Sequence, residues 1–315
     1  MEKRRLGRSV LEVAPLAFGG NVFGWTVDEA TSFQLLDAFT GAGFNLIDTA
    51  EVYSNWVPGH QGGESETIVG KWLKKSGKRD QVIVATKVGG KMGPDQKGLS
   101  RAYIRSAVES SLRRLQTEVI DLYQTHYDDP ATPMEETLET YAQLVQEGKV
   151  RVIGASNFNT IRLRQALQVS EQYGWPRYES LQPEYNLYNR QEFEHKLEPI
   201  CIENKIGVLN YYALASGFLT GKYRLEADLN KSPRGKGIQK YLNERGYRIL
   251  AVLDEVAAKY QTEPASIAIA WVIARRSITA AIASATSVRQ LEALMQATEI
   301  NLDMGDIDRL NHASA

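Results

Sequence analysis

The chain of 315 residues is 43% hydrophobic and 24% charged, and its 37 Lys and Arg residues nearly balance 38 Asp and Glu residues, for a net charge of −1. No basic stripe with interleaved aromatic residues occurs, which excludes a dedicated nucleic-acid binder, and no apolar run approaches the roughly 20 residues that span a bilayer. Because the N-terminus lacks the apolar segment of a signal peptide and the single Cys201 cannot form an internal disulfide, we expect a cytoplasmic protein.

Short apolar runs recur along the chain at a steady interval. Runs of about four to eight apolar or β-branched residues are typical of parallel strands that are covered on both faces. The eight candidate strands span residues 15–20, 44–50, 81–88, 119–126, 149–156, 178–185, 206–214 and 278–285. They predict a parallel sheet.

Segments with helical spacing separate these strands. The first of them starts at the acidic cap residue Asp28, and another starts at Ser100 and carries apolar residues three and four apart. A third places Thr132 before Pro133 and has acidic residues in its first turn. The alternation of strands and helices predicts an α/β fold.

Two architectures fit this alternation, a closed (β/α)8 TIM barrel and an open doubly wound sheet. The open sheet needs a Gly-rich turn after its first strand, and GGNVFG at 19–24 does not fit G-x-G-x-x-G. We therefore predict a single barrel domain over residues 1–315. An N-terminal β-hairpin that turns at residues 6–8 would plug its lower end. The long polar loop after strand seven, 221–240, is either a functional flap or a mobile loop.

Polar residues suited to proton transfer close three consecutive predicted strands. Asp48 ends strand two, and Tyr53 follows it in the loop. Lys87 ends strand three and His126 ends strand four. In a (β/α)8 barrel these strand ends face the same mouth, so the four side chains can converge there.

The chemistry of these four groups fits the donation of a proton to a carbonyl oxygen. A free Tyr has a pKa of about 10 and donates poorly at neutral pH, but a nearby Lys87 ammonium would lower the pKa of Tyr53. Asp48 would keep Lys87 charged, and His126 would orient the carbonyl. Each residue alone has an ordinary structural explanation. Their order on successive strands is what indicates an active site.

Six motifs in the chain resemble those of the aldo-keto reductases. They are DTAEVY with Asp48 and Tyr53, ATK with Lys87, DLYQTH with His126, GKVRVIGASN (148–157), LQPEYNLYNR (181–190) and ALASGFLTGKY (213–223). The resemblance runs in order from about residue 6 to residue 300. It implies an NAD(P)H-dependent reductase of aldehydes and ketones in which Tyr53 is the general acid.

The resemblance also implies where a dinucleotide cofactor would bind. The residues that would hold the nicotinamide and its carboxamide are Ser156, Asn157, Gln182 and Tyr211. Those that would lie along or clamp the pyrophosphate are Leu214, Ser216, Gly217, Leu219, Gly221, Lys222 and Arg234. The contacts implied at the adenosine end are Ser284, Thr286, Arg289 and Gln290.

The chain departs from the family pattern in two places. Tyr212 and Ala213 stand where Ser-Pro is common, and Ala293 and Leu294 replace the usual Glu-Asn pair of the adenosine site. Arg289 can meet a 2′-phosphate, because a guanidinium binds phosphate through two hydrogen bonds. The frequency of NADP(H) use in the family favours this cofactor, and NAD(H) is the alternative.

Two tryptophans are candidate walls of a pocket for a small-molecule carbonyl substrate. Trp25 follows the first strand, and Trp56 lies in the long loop 54–63, which would border the pocket mouth. His60 in this loop is expected to be exposed. The remaining histidines show no ligand spacing, so no metal site is expected, and Cys201 is expected to be a buried hydrophobic residue.

Two other functions compete with the reductase. Some relatives of this kind bind the cofactor and act as regulatory, redox-sensing subunits of larger membrane complexes. A (β/α)8 lyase or isomerase that uses Lys87 as a Schiff base would need a lowered Lys pKa, whereas Asp48 would raise it. The sequence specifies neither the physiological substrate nor the oligomeric state.

Overall fold

The computed structural model describes residues 1–94 and 96–315 of the chain. Within these residues the strands are β1 (Arg4–Arg5), β2 (Glu12–Val13), β3 (Leu16–Gly19), β4 (Leu46–Asp48), β5 (Ile83–Val88), β6 (Ile120–Thr125), β7 (Val150–Ser156), β8 (Tyr178–Gln182), β9 (Gly207–Asn210) and β10 (Ile278–Ala283). Strands β3 to β10 form a closed parallel barrel in sequence order, and β10 pairs with β3 to close the ring. Each of the eight predicted runs contains one of them, so the predicted TIM barrel is confirmed.

Two barrel strands end three or four residues earlier than the apolar runs predicted. Strand β8 ends at Gln182, because Pro183 has no N–H with which to continue the ladder. Strand β9 ends at Asn210, and two residues later Tyr212 adopts the left-handed conformation with φ of 54°. The chain therefore leaves the sheet at the barrel mouth and turns over it.

The N-terminal hairpin covers the opposite end of the barrel. Strands β1 and β2 pair antiparallel, with Arg4 opposite Val13. Leu6, between them, is fully buried in a cluster of residues from the barrel interior. Gly7 approaches the barrel so closely that a Cβ there would lie 2.3 Å from the Glu179 carbonyl oxygen. The hairpin therefore closes the end where the barrel strands begin, as predicted.

Helices surround the barrel and carry the strands' apolar cover. They are α1 (Glu29–Gly41), α2 (Glu64–Ser76), α3 (Arg101–Leu115), α4 (Met134–Gln146), α5 (Thr160–Tyr173), α6 (Glu198–Asn204), α7 (Glu244–Lys259), α8 (Pro264–Ile273), α9 (Val288–Gln296) and α10 (Met304–Ala313). Asp28 and Ser100 cap α1 and α3 as predicted, each accepting a backbone N–H of the first turn. Pro133 immediately precedes α4 and has no side chain that can cap the helix. The Thr132 hydroxyl before it does not cap α4 and donates to Asp129 at 2.6 Å. None of the described helices is both long enough and apolar enough to pass through a membrane.

The long loop after β9 is folded onto the barrel mouth. It contains short 3-10 turns at Ala215–Thr220, Glu226–Lys231, Gly235–Gly237 and Gln239–Tyr241. A Cβ at Gly235 would lie 1.6 Å from the Leu229 carbonyl oxygen, so this crossing of the loop on itself admits only Gly. Tyr241 stacks on Phe218 with ring centroids 5.2 Å apart. The predicted long loop is thus a packed strap with its own turns.

Of two predictions about residues outside the site, one is confirmed and the other is wrong. Cys201 in α6 is 1% exposed, as predicted, and burial raises the pKa of its thiol to about 12. The thiol therefore stays protonated at neutral pH. His60, which was expected to be exposed, is half-buried, with its Nδ1 4.0 Å from the Glu64 carboxylate, so that expectation was wrong.

Candidate active site

Four polar side chains meet at the mouth of the barrel where the strands end. Asp48 is the last residue of β4, Lys87 lies in β5, and His126 directly follows β6. The Lys87 Nζ lies 2.6 Å from the Asp48 carboxylate and 2.8 Å from the Tyr53 hydroxyl oxygen. The Tyr53 and His126 rings face each other edge-on, 6.1 Å apart. The structure thus brings together all four residues that the sequence singled out.

A tight turn after β4 places Tyr53 over Lys87. The Tyr53 N–H donates to the Ala50 carbonyl at 3.2 Å, and the next residue, Ser54, has φ of 73°. The Ser54 hydroxyl donates to the Phe23 carbonyl at 2.7 Å, which fixes the far side of the turn. This turn points the phenol back across the strand ends, because it reverses the chain directly after Tyr53.

Asp48 is the centre of a buried hydrogen-bond network. It accepts hydrogen bonds from Lys87 and Tyr53 on one side and from the amides of Gln182 and Gln124, at 2.9 and 3.3 Å, on the other. Sequence reasoning missed Gln124. It did find Gln182, but the Gln182 Nε2 points at Asp48 and Gln124. In this structure Gln182 therefore helps to hold the carboxylate.

The protonation state of Tyr53 differs from the sequence prediction. Burial, and after it the neighbouring Asp48 carboxylate, raise the pKa of Tyr53 well above its ordinary value. The prediction that Lys87 lowers this pKa was therefore wrong. Removing water from the phenol penalises its charged form more than one ammonium, already paired with a carboxylate, can offset. The hydroxyl consequently keeps its proton at neutral pH.

Lys87 and His126 are both buried beside each other. Burial lowers the pKa of Lys87, and Asp48 opposes this shift, so the expected rise is not observed. The three N–H bonds of Lys87 have partners in Asp48, Tyr53 and the Thr49 carbonyl, which leaves the ammonium no room to act as a nucleophile. Burial and the charge of Lys87 lower the pKa of His126 well below its ordinary value, so this imidazole is neutral.

The four residues expected to hold a nicotinamide form one chain of contacts, in which the Asn157 amide also donates to the Ser156 hydroxyl at 3.2 Å. The Tyr211 hydroxyl donates to Asn157 Oδ1 at 2.8 Å, and the Asn157 amide donates to the His126 carbonyl at 2.9 Å. Ser156, at the end of β7, is buried and donates to the Gln182 carbonyl at 2.8 Å. An aromatic face and two short polar side chains therefore lie next to His126.

The loop expected to follow a pyrophosphate has an unusual backbone. Ser216, Gly217 and Gly221 all have positive φ, with values of 58°, 99° and 77°. The Gly217 and Gly221 N–H groups donate to the Leu214 and Phe218 carbonyls, at 2.9 and 3.1 Å, which closes tight turns at this place. The Lys222 Nζ lies beside Gly217, 3.9 Å from the Cβ position there. Leu219 is fully buried, so its side chain cannot face a ligand, whereas Leu214 is only partly buried against the core.

The Arg234 side chain, in the long loop after β9, contacts Trp25 in the loop after β3. Its guanidinium carbon lies 5.3 Å from the centroid of the Trp25 ring, and burial lowers the pKa of Arg234. No carboxylate pairs with this guanidinium among residues 1–94 and 96–315. The strap thus delivers a positive charge to the barrel mouth.

The residues expected at an adenosine end lie after β10 and at the start of α9. The Ser284 hydroxyl donates to the Gly19 carbonyl at 2.6 Å. Thr286 donates to the Gln290 side chain from both its N–H and its hydroxyl, at 2.9 and 3.0 Å. The Arg289 side chain is 89% exposed, and its nearest carboxylate, Glu263, is 3.5 Å away. Arg289 is therefore available to a ligand in solution.

An aromatic rim surrounds Tyr53. Trp25 meets Trp56 edge-on at 5.5 Å, and Trp56 meets Tyr53 at 6.2 Å, so both predicted tryptophans lie on this rim. Sequence reasoning missed two further members. Tyr127 stacks on the His126 ring at 4.5 Å, and Tyr212 packs edge-on against the ring of Tyr211. Tyr127 directly follows the histidine in the sequence, which was the available signal.

Comparisons with known proteins show which family the chain resembles. Residues 15–315 match the model of the Aldo/keto reductase family. The chain is 38% identical over 304 residues to aldo-keto reductase YhdN of Bacillus subtilis, covering 94% of this chain and 86% of that protein. It is 35% identical over 319 residues to the uncharacterized oxidoreductase YrpG of the same bacterium, with 99% and 95% covered.

A relative of another kind matches over a similar length. The chain is 31% identical over 313 residues to a probable voltage-gated potassium channel subunit beta of Oryza sativa, covering 95% of this chain and 92% of that protein. All these matches extend over nearly the whole barrel. The chain therefore belongs to the aldo/keto reductase family.

Proposed function

We propose that the protein reduces aldehydes and ketones with NAD(P)H, and that Tyr53 is the general acid. The observation that carries this proposal is the position of the Tyr53 hydroxyl, 2.8 Å from the buried Lys87 ammonium, on a partly exposed residue at the barrel mouth. A proton donor beside a fixed positive charge is what a carbonyl oxygen needs as it becomes an alkoxide.

The geometry allows a simple order of proton movements. Tyr53 keeps its proton until negative charge develops on the carbonyl oxygen, because burial disfavours the phenolate. It then transfers the proton, and the phenolate that remains is stabilised by the ammonium of Lys87. Asp48 balances that ammonium at 2.6 Å before and after the transfer. A carbonyl compound, the hydride that the bound cofactor would supply, and a neutral tyrosine thus give an alcohol and a phenolate, beside an unchanged ion pair.

His126 orients the carbonyl. Its imidazole is neutral, so it can donate one N–H to the carbonyl oxygen without competing with Tyr53 as an acid. The other ring nitrogen would then carry no proton. The Nδ1 atom is buried and has no hydrogen-bond partner among the described residues. Stacking of Tyr127 on the ring holds its plane in place.

The donor set around the barrel mouth fits a nicotinamide dinucleotide. The bound cofactor would supply the hydride. Asn157 and Ser156 would hold its carboxamide, and Tyr211 would offer a flat face to the ring. The turn at Ser216 and Gly217 would lie along the phosphates, and Lys222 and Arg234 would be their cationic partners.

We propose NADP(H) as the preferred cofactor. The exposed and loosely held Arg289 at the start of α9 can form two hydrogen bonds with a 2′-phosphate, which NAD(H) lacks. Thr286 and Gln290 lie on the same turn and would contact the adenosine. Residues 1–315 would act as one catalytic domain in the cytoplasm, on a small carbonyl compound that packs against the aromatic rim.

A second candidate function rests on one comparison. Since a potassium channel subunit beta is among the relatives, the protein could instead be a cofactor-binding regulatory subunit with slow turnover. The complete set of Asp48, Tyr53, Lys87 and His126 supports the enzyme first. Cofactor that stays bound through purification, together with negligible turnover, would support the regulatory subunit.

The experiment follows NADPH absorbance with 4-nitrobenzaldehyde as the carbonyl compound. We expect turnover by the wild-type protein and a loss of about 100-fold or more in kcat for Tyr53→Phe. Titration of NADPH by fluorescence quenching provides the control, because Phe at this position should leave cofactor affinity unchanged. Equal rates for the two proteins would refute the role of Tyr53, and no turnover by either would refute the reductase.

A further inference from the structure

A buried carboxyl group links the two segments that carry Tyr53 and Lys87. Glu51 lies two residues before Tyr53 and is 2% exposed. Its backbone N–H donates to the Lys87 carbonyl at 3.3 Å, and its Oε1 accepts a hydrogen bond from the Gly89 N–H at 2.9 Å. One residue therefore ties the tyrosine loop to the end of β5 twice, on either side of its last residue.

The side-chain bond replaces a missing rung of the sheet. Before this point the loop continues the ladder, with the Thr49 N–H donating to the Ala85 carbonyl at 2.8 Å. Strand β5 ends at Val88, and Gly89 turns away with φ of 101°. The Gly89 N–H, which is only partly exposed, needs an acceptor, and it donates to the Glu51 carboxyl group.

Four ionisable groups lie around the Glu51 carboxyl group: one cation that is paired with another carboxylate, that carboxylate, and two phenols. Arg114 on α3 donates to Glu66 on α2 at 2.7 Å, and Glu66 is fully buried in that ion pair. Tyr103 on α3 faces Glu51 with its hydroxyl, and Tyr123 on β6 lies nearby. Burial is the main cause that raises the pKa of Glu51 to about 7, and Glu66 adds to it.

We propose that Glu51 is a positioning residue of the reductase: its carboxyl group holds the Tyr53 loop against the Lys87 strand, and it holds less tightly when ionised. The inference rests on the proposed function. The Gly89 hydrogen bond by itself favours the ionised carboxyl group, but burial outweighs it, so ionisation favours release of Glu51 towards water. Within the described part of the chain no hydrogen bond joins Glu51 to a residue expected to hold the cofactor, so it acts through the placement of Tyr53.

The test compares kcat against pH between 5.5 and 9 for the wild type, Glu51→Gln and Glu51→Asp, at saturating NADPH. The wild type should show a limb that falls through pH 7. Glu51→Gln keeps an acceptor for Gly89 without a charge, so this limb should vanish and kcat should stay near the low-pH value. Glu51→Asp is too short to reach Gly89 and should lose about tenfold in kcat without a change in KM for NADPH.

A matched variant separates the charge from the fold. Tyr103→Phe removes a hydroxyl that favours the ionised carboxyl group and leaves Gly89 untouched, so it should move the limb to higher pH. If Glu51 had only a structural role, Glu51→Gln would lower the stability of the protein without changing the pH profile of kcat. Identical pH profiles of kcat for the wild type and Glu51→Gln would overturn the inference.

A readout without turnover keeps the inference distinct from the reductase itself. The amide resonance of Gly89 should titrate near pH 7 in the wild type and not in Glu51→Gln, whether or not any aldehyde is reduced. If turnover is absent but this amide titrates, the proposed function fails and the hydrogen bond stands. If turnover is present and the amide does not titrate, the positioning role of Glu51 fails.

Discussion

Removing both partners of the Asp48–Lys87 pair should cost less stability than the sum of the losses from removing each one alone. The two side chains are 2% and 0% exposed, and their charged atoms are 2.6 Å apart. Asp48→Asn leaves a buried ammonium without a counter-charge, which typically costs about 3–5 kcal/mol. Lys87→Met should cost less, because the Gln124 and Gln182 amides still donate to the remaining carboxylate.

The double variant Asp48→Asn/Lys87→Met buries no charge at this position. Its loss should therefore fall short of the sum of the single losses by about 0.5–3 kcal/mol, the range typical of residues in contact. The assay is urea unfolding at pH 7, followed by far-ultraviolet circular dichroism, with free energies compared at a common m-value. Single losses that add up to within about 0.5 kcal/mol would refute the reasoning, since independent sites behave in that way.

The loss of stability caused by Asp48→Asn should also depend on pH, in a direction that can be predicted. Burial lowers the pKa of Lys87, so the folded protein binds fewer protons than the unfolded chain at pH values between the lowered pKa and 10.5. Stability rises with pH in that window. Without Asp48 the pKa should fall further, so the loss caused by Asp48→Asn should shrink between pH 7 and pH 9. A loss that stays constant or grows would contradict this sign.

Three further predictions concern other parts of the molecule. Because the pKa of Glu51 is raised from 4.5 to about 7, the wild type should lose stability relative to Glu51→Gln as pH rises from 5 to 8, by at most about 3 kcal/mol in unfolding experiments. Arg289→Ala should weaken binding of NADPH about tenfold and leave that of NADH unchanged in fluorescence titrations; equal effects would place Arg289 away from the 2′-phosphate. Trp56→Ala should raise KM for 4-nitrobenzaldehyde about tenfold with little change in kcat, and an unchanged KM would remove Trp56 from the pocket.

The barrel and the four catalytic candidates could be predicted because their signals are local. Each strand is an apolar run, and each polar residue such as Lys87 or His126 stands at the end of a run. In a parallel barrel those ends must share one mouth. The hairpin was predictable for the same reason, because its turn and its apolar residues are neighbours in the chain.

The supporting residues could not be predicted, because they depend on neighbours from distant strands. In the sequence Gln124 is only one polar residue inside an apolar strand, and its role becomes visible when the structure shows that it donates to Asp48. Glu51 shows no sign of its bond to Gly89 in the sequence, since the two are 38 residues apart. The raised pKa of Tyr53 has the same origin: burial is a property of the packed barrel, and the sequence shows only the possible partner charges.

The most direct measurement of the central claim is a single turnover with NADPH deuterated at the transferred position of the nicotinamide. The wild type should deliver deuterium to the carbonyl carbon of 4-nitrobenzaldehyde, detected by mass spectrometry of the alcohol. Tyr53→Phe should bind the same cofactor equally well and transfer deuterium at least about 100-fold more slowly. Transfer by Tyr53→Phe at the wild-type rate would contradict the account, because the proton would then come from another group.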